Sequence, residues 1–272
     1  MLLLPHVAML HAGFVALAAP RRSLSCTSRS DRVTCCKRDD TRQNSEVLPQ
    51  SFFSDLDYSS GTVPWDLIGR PQPPVRNAAK DGCFGVGTAV LDCGCGAGDN
   101  ANWLASRGFH VLGFDLSTNA IATARRRSAE EENSKAIVEA GGSIEFVVAS
   151  AVDLTAAQRV QERARELGGF KVALDSALLH CLDDAAQRAY LNGLQLLMRP
   201  GGRLFVGCFS DRNPDPWENP RRLSEGMLRE LFKEEQGWQG ERVAHANHSA
   251  HHSAHTERAH HSARAALSPH DH

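Results

Sequence analysis

The chain has no excess of either charge. Its 272 residues set 30 Lys and Arg against 32 Asp and Glu, a formal net charge of −2. No general electrostatic attraction to nucleic acid or to an anionic membrane follows. It also lacks the cysteine spacing of a metal site. The eight cysteines, Cys26, Cys35, Cys36, Cys83, Cys93, Cys95, Cys181 and Cys208, include no C-x2-C pair. Cys93 and Cys95 sit in a glycine-rich stretch, and Cys181 and Cys208 lie in apolar runs. A disulfide framework fits poorly and no metal site is expected. The densest charge run, "ARRRSAEEE" (124–132), mixes both signs and reads as a solvated helix face with partial i,i+4 pairing, not a nucleic-acid patch.

What is present divides into a middle and two dissimilar ends. Residues 1–20, "MLLLPHVAMLHAGFVALAAP", are apolar, contain no acid and finish in small residues. Residues 21–38 are rich in Ser and Arg with a single Asp. The first stretch resembles a signal peptide without its basic start, and the second resembles a transit peptide. In series they predict a targeting leader over 1–40, plastid-directed, with mitochondrial or secretory sorting as alternatives. Pro5, His6 and His11 interrupt a stretch already short for a membrane span, so no stable anchor is expected after leader removal. A linker over 41–60 precedes a domain over 61–243. From 244 to 272 the chain holds nine of its thirteen histidines among Ala, Ser and Arg, with one Leu and no aromatic residue. Such a tail cannot bury enough to offset ordering its backbone.

The middle alternates strand and helix. Strands are predicted at 88–94, 109–116, 143–150, 170–177 and 202–210, each short, apolar and bounded by turn residues. Helices are predicted over 99–106, 118–140, 156–167 and 184–198, with another around 223–235. This order implies right-handed crossovers and an α/β fold: a Rossmann-like, doubly wound, mostly parallel sheet with helices on both faces. With 42% hydrophobic residues, the chain can bury one good-sized core.

Ligands in such sheets bind beyond the carboxyl ends of the strands, and there stands "VLDCGCGAGDN" (90–100). Gly94, Gly96 and Gly98 leave the backbone bare behind the first strand, and Asp115 ends the second, where an acid commonly accepts from ribose hydroxyls. A dinucleotide fingerprint would put a third glycine at position 99, which is Asp99. An acid at that helix start repels a pyrophosphate, so the pattern suits a ligand with a ribose and a cationic portion.

The stretch "VLDCGCGAGDNANWLASRGFHVLGFDLS", followed by "VVASAVDL", "ALDSALLHCL" and "LLMRPGGRLFVGCFSD", resembles class I S-adenosylmethionine-dependent methyltransferases over roughly 60–235. "VPWDLIGRPQP" (63–73) resembles the subgroup of thiol and thiopurine S-methyltransferases. The resemblance implies a methyltransferase that uses S-adenosylmethionine on a small-molecule acceptor. It places Gly94, Gly96 and Gly98 under the cofactor, Asp92 near its amino group, and Asp115 with neighbouring Leu116 at the ribose. Ser150, Ala151 and Val152 would lie along the adenine, and Asp175 would face the methionine end. Two departures stand out. Ser150 occupies a position where relatives place an Asp. The fold also normally ends in an antiparallel hairpin whose last strand inserts beside the fifth. Here only 237–246 offers a sixth strand and no later segment offers a seventh, so an open edge on the fifth strand is expected.

Candidate chemistry is sparse. His180, five residues past Asp175, is either a base for the acceptor or a pocket-shaping residue. Trp65 either packs over the cofactor or anchors the N-terminal arm. Arg70 reads as solvated, and Cys181 as a small buried residue. The segment 210–222, with Trp217, is the expected lid. The alternative function is a catalytically impaired cofactor-binding or regulatory protein, suggested by Ser150 and the missing strand.

Overall fold

The computed structural model describes residues 12–18, 58, 63, 65–85, 87–213 and 220–244, with side chains from 58 to 238. Trp217, the His-rich tail, and most of the expected leader and linker lie outside the described residues. The elements in chain order are β1 (Ala12–Ala18), α1 (Pro73–Lys80), β2 (Ala89–Cys93), α2 (Asp99–Ala105), β3 (His110–Asp115), α3 (Thr118–Ala129), α4 (Glu131–Glu139) and β4 (Ser143–Val148). Then follow α5 (Gln158–Glu166), β5 (Phe170–Ser176), α6 (Asp184–Leu197), β6 (Met198–Phe209), α7 (Glu225–Leu231) and β7 (Gln239–Ala244).

The sheet runs β4-β3-β2-β5-β6-β1-β7. Its first five strands are parallel, and β1 and β7 are antiparallel additions at the β6 side. Strand residues alternate between two cores, as the two-residue period of a strand dictates. Leu91, Cys93, Leu112, Phe114, Ala173, Leu204 and Val206 join one face with Val160, Leu191, Leu194 and Trp238. Val90, Val111, Val172, Leu174 and Phe205 join the other with Val75, Leu104, Ile121 and Ile137. Both faces are therefore covered, which is why these strands read as unbroken apolar runs.

Two expectations are corrected. The helix predicted over 118–140 is two helices, because Glu130 takes extended backbone at ψ 137°. The Asn133 amide donates to the Arg127 carbonyl freed by that break, at 2.7 Å, and the second helix turns Ile137 into the core. The fifth parallel strand has no open edge. Over its whole length β1 pairs with β6, Ala12 opposite Phe209 through Ala18 opposite Arg203. The seat expected of a late C-terminal strand is filled from the N-terminal stretch assigned to the leader. The sixth strand forms as β7 within the predicted 237–246.

At the first crossover β2 and β3 lie parallel in register, Asp92 opposite Gly113. Gly98 sits at φ 81°, and a Cβ there would come within 2.8 Å of Phe146 and 2.9 Å of Ala124. Its bareness is demanded from inside the fold, where α2 meets α3 and β4. Gly98→Ala combines left-handed backbone strain with overpacking and should destabilise the chain by about 2–4 kcal/mol. Urea unfolding would read this as a lowered midpoint with an unchanged slope.

Candidate active site

Three carboxylates end three adjacent strands. Asp92 lies in β2, Asp115 closes β3, and Asp175 faces Cys93 across the β2–β5 ladder. Asp92 and Asp175 are 1% and 0% exposed, and one oxygen of each, Oδ2, has no hydrogen-bond partner among the described residues. Burial, then the charges of Asp115, Asp175 and Asp99, pushes the Asp92 carboxyl up to about 7. Burial raises Asp175 to about 6, against the amides of Leu178 and Leu179, which donate to its Oδ1 at 2.9 and 3.2 Å. Asp115 is raised by burial and opposed by backbone amides. Its Oδ2 accepts from the Gly96 amide at 2.9 Å and its Oδ1 from Ser117 at 2.9 Å. Asp115 therefore shapes the glycine turn as well as facing whatever the turn holds.

The glycines have separate reasons. A Cβ on Gly94 would meet Leu178 at 3.1 Å, whereas one on Gly96 would meet only Tyr58, at 3.9 Å. Gly96, at φ 54°, is thus the bare point of the turn with room above it. Tyr58 is the neighbour there. It is buried with Val63, Ala97 and Ala120, and Trp65 packs on this cluster and donates its indole N–H to the Tyr58 hydroxyl at 3.1 Å. This contact holds Trp65 against the residue that lies beside Gly96. Burial and the nearby Asp115 charge hold the Tyr58 phenol protonated.

The arm before α1 is strapped across the turn. Asp99 at the start of α2 accepts from the amides of Leu67 and Gly69, each at 2.8 Å, and Asn100 accepts from Gln72 at 2.8 Å. Arg127 joins the strap by donating to Asp66 at 2.7 Å and to Asp99 at 3.0 Å. At the far end the Gln72 side chain meets Ser176, the last residue of β5. The run 124–132 is therefore not all solvated face. Arg127 is an anchor, and Arg125 donates to the Phe146 carbonyl at 2.7 Å.

His180 is turned into the protein. It is 1% exposed, its Nδ1 accepts from the Phe209 amide at 3.0 Å, and the ring lies on Phe209 with centroids 4.9 Å apart. Burial lowers its pKa to about 3, so the imidazole is a neutral strut between the ends of β5 and β6. Beside it Ala177 is held at φ 76°, a strained joint where β5 leaves the sheet. The Cys181 thiol, raised well above its ordinary range by burial, donates to the Ala177 carbonyl.

The remaining predicted residues take differing places. Leu116 is half-buried after Asp115. Ser150 precedes the short turn Ala151–Asp153 without capping it, Ala151 is buried, and Val152 packs on the core edge. Arg70 is exposed. Sequence reasoning missed Tyr58, Asp66, Gln72, Asn100, Arg127 and Ser176 as parts of the site. Asp99 was visible, and its exclusion of a pyrophosphate was the one signal of its place.

Together the strand ends offer unpaired acceptors, a bare turn and an aromatic wall. S-adenosylmethionine fits this set on charge, since its ammonium and sulfonium are cations and its ribose donates hydroxyl protons. Asp92, Asp115 and Asp175 would hold it. Among the described residues no group of His, Cys, Asp or Glu is placed to bind a metal ion.

The family model described as thiopurine S-methyltransferase matches residues 53–267. A 2-heptyl-1-hydroxyquinolin-4(1H)-one methyltransferase of Mycobacteroides abscessus is 29% identical over 169 residues, 62% of this chain and 66% of that protein. The chain thus matches just under two thirds of that relative's length. A probable thiol methyltransferase 2 of Arabidopsis thaliana is 32% identical over 78 residues, 29% of this chain and 34% of that one. A solved structure described as "Conversion of a Disulfide Bond into a Thioacetal Group during Echinomycin Biosynthesis" is similar at 28% identity and TM-score 0.50, covering 74% of this chain and 90% of its own.

Two outcomes test the site. The raised folded-state values of Asp92 and Asp175 mean that the free protein takes up protons on folding between about pH 4 and 7. Its stability should fall as pH rises through that window, and a bound cation should reverse the trend by favouring the carboxylates. Calorimetry should show S-adenosylmethionine affinity rising at least about tenfold from pH 5 to 7.5 with proton release, and Asp92→Asn should flatten both curves. Arg127→Ala leaves the Asp66 and Asp99 carboxylates without their cation. It should free the arm, seen as new protease cleavage within 65–72 and at least about tenfold weaker cofactor binding.

Proposed function

The chain belongs to the thiopurine S-methyltransferase family, and from that premise we propose that it is an S-adenosylmethionine-dependent methyltransferase acting on the sulfur of a small thiol or a comparably soft nucleophile. The carrying observation is the set of three carboxylates around the bare Gly96 turn, two of them buried and each of those two with an unpaired oxygen. Bound there, the cofactor supplies a methyl group already activated on a sulfonium, so the protein's task is alignment and exclusion of water.

This chain's residues divide that task. Asp92 and Asp175 supply negative field and acceptors at the strand ends, and Asp115 fixes the turn. Tyr58 and Trp65 wall the turn, while the Asp99–Asn100–Arg127 strap and the Gln72–Ser176 contact keep the arm closed over it. The neutral His180 strut leaves the acceptor to lose its own proton. A thiol with a pKa near 8.5 does so readily at neutral pH, whereas an aliphatic alcohol does not. The names of the Arabidopsis relative and of the solved structure, both concerned with sulfur, support the same acceptor class.

Initial rates on paired thiols and their hydroxyl counterparts test the reading. Thiols should be methylated at least about tenfold faster, and the pH–rate curve should follow the acceptor's own pKa. His180→Gln should leave that curve in place while lowering stability. Equal rates on hydroxyl acceptors would overturn the sulfur assignment. Tight cofactor binding with no turnover on any acceptor would favour a cofactor-binding protein instead, the reading that Ser150 supports.

A further inference from the structure

The pairing at the sheet's far side gives residues 12–18 a use of their own. "AGFVALA" is hydrogen-bonded on both edges, to β6 along all seven residues and to β7 with Phe14 opposite Ala244, Val15 opposite Val243 and Ala16 opposite Arg242. Between β6 and β7 the order places only β1, so β7 reaches the sheet through β1 alone. The sequences agree with these places. A wholly apolar run suits a strand with neighbours on both sides, and "QGERVA" in β7 carries the charges that guard an outer edge. No later described segment could take the seat, since β7 is the last element of the chain order.

We propose that residues 12–18 are a retained strand of the mature fold, on which the attachment of the C-terminal strand depends, and are not discarded with a sorting leader. One mature chain cannot both lose this segment and keep it in the sheet. Whatever sorting signal the chain carries must therefore spare it. Without β1, seven residues of β6 would present an unsatisfied backbone edge and β7 would have no partner.

The test compares the full chain with one lacking residues 1–20, by hydrogen exchange at 203–209 and 239–244. The full chain should protect both stretches. The shortened chain should lose protection over 239–244 by at least about tenfold, and a peptide of residues 9–20 with two added lysines should restore it by strand addition. Unchanged protection in the shortened chain overturns the proposal. Should that chain not fold, Val15→Pro in the full chain removes one ladder donor mid-strand. Exchange over 239–244 should then quicken while exchange in the 94–98 turn stays as before, and no change over 239–244 overturns the proposal. The intact mass of the protein from its own cells gives the last reading. A chain that includes residue 12 supports the proposal, and one that begins after residue 18 overturns it. None of these outcomes bears on cofactor binding or acceptor choice.

Discussion

A single hydrogen bond organises the centre of this molecule: the carboxylate closing β3 accepts the amide of Gly96, the barest residue of the turn after β2. That bond ties two neighbouring strand ends to one loop conformation. It also draws a third acid into a space where Asp92 and Asp175 are already buried. Burial and the neighbouring acids together raise the cost of ionising Asp92, because burial removes the water that would screen the charges. The fold tolerates the arrangement because backbone amides satisfy some of the oxygens. The rest of the negative potential is left for a ligand with positive charge and hydroxyl protons.

Around this centre, packing decides what chemistry cannot. Gly98 is bare because Phe146 and Ala124 press on it, and Gly94 because Leu178 lies against it. The strap from Asp99, Asn100 and Arg127 fixes the arm before α1, and the arm supplies the aromatic wall. His180 and the strained Ala177 hold the ends of β5 and β6 together. The reacting space is thus framed by residues whose own contacts are with the protein. Such framing is what a reaction limited by alignment requires.

Much of this was legible in the sequence. Five apolar runs separated by helical stretches gave the parallel sheet, and the glycines with Asp92 and Asp115 pointed to the turn at the strand ends, because both signals are local. What stayed hidden depends on distant partners. Arg127 looks like one of three solvent-facing arginines until Asp66, 61 positions away, is brought beneath it. Tyr58 carries no local mark of its place beside Gly96. His180 looked reactive because titration near neutrality is a property of the free imidazole, and burial took that property away. Residues 12–18 have a composition that an apolar leader and a doubly paired strand share. Only the register with β6 separates the two.

The position of β1 also sets a timetable for the chain's birth. Its partner residues 203–209 lie almost two hundred positions downstream. At ribosomal speeds of about 5–20 residues per second, the segment emerges roughly 10–40 s before its acceptor strand exists. For that interval a bare seven-residue apolar stretch of the nascent chain waits unpaired, open to chaperones and translocation factors. A strand made long before its partner is thus among the last to be paired.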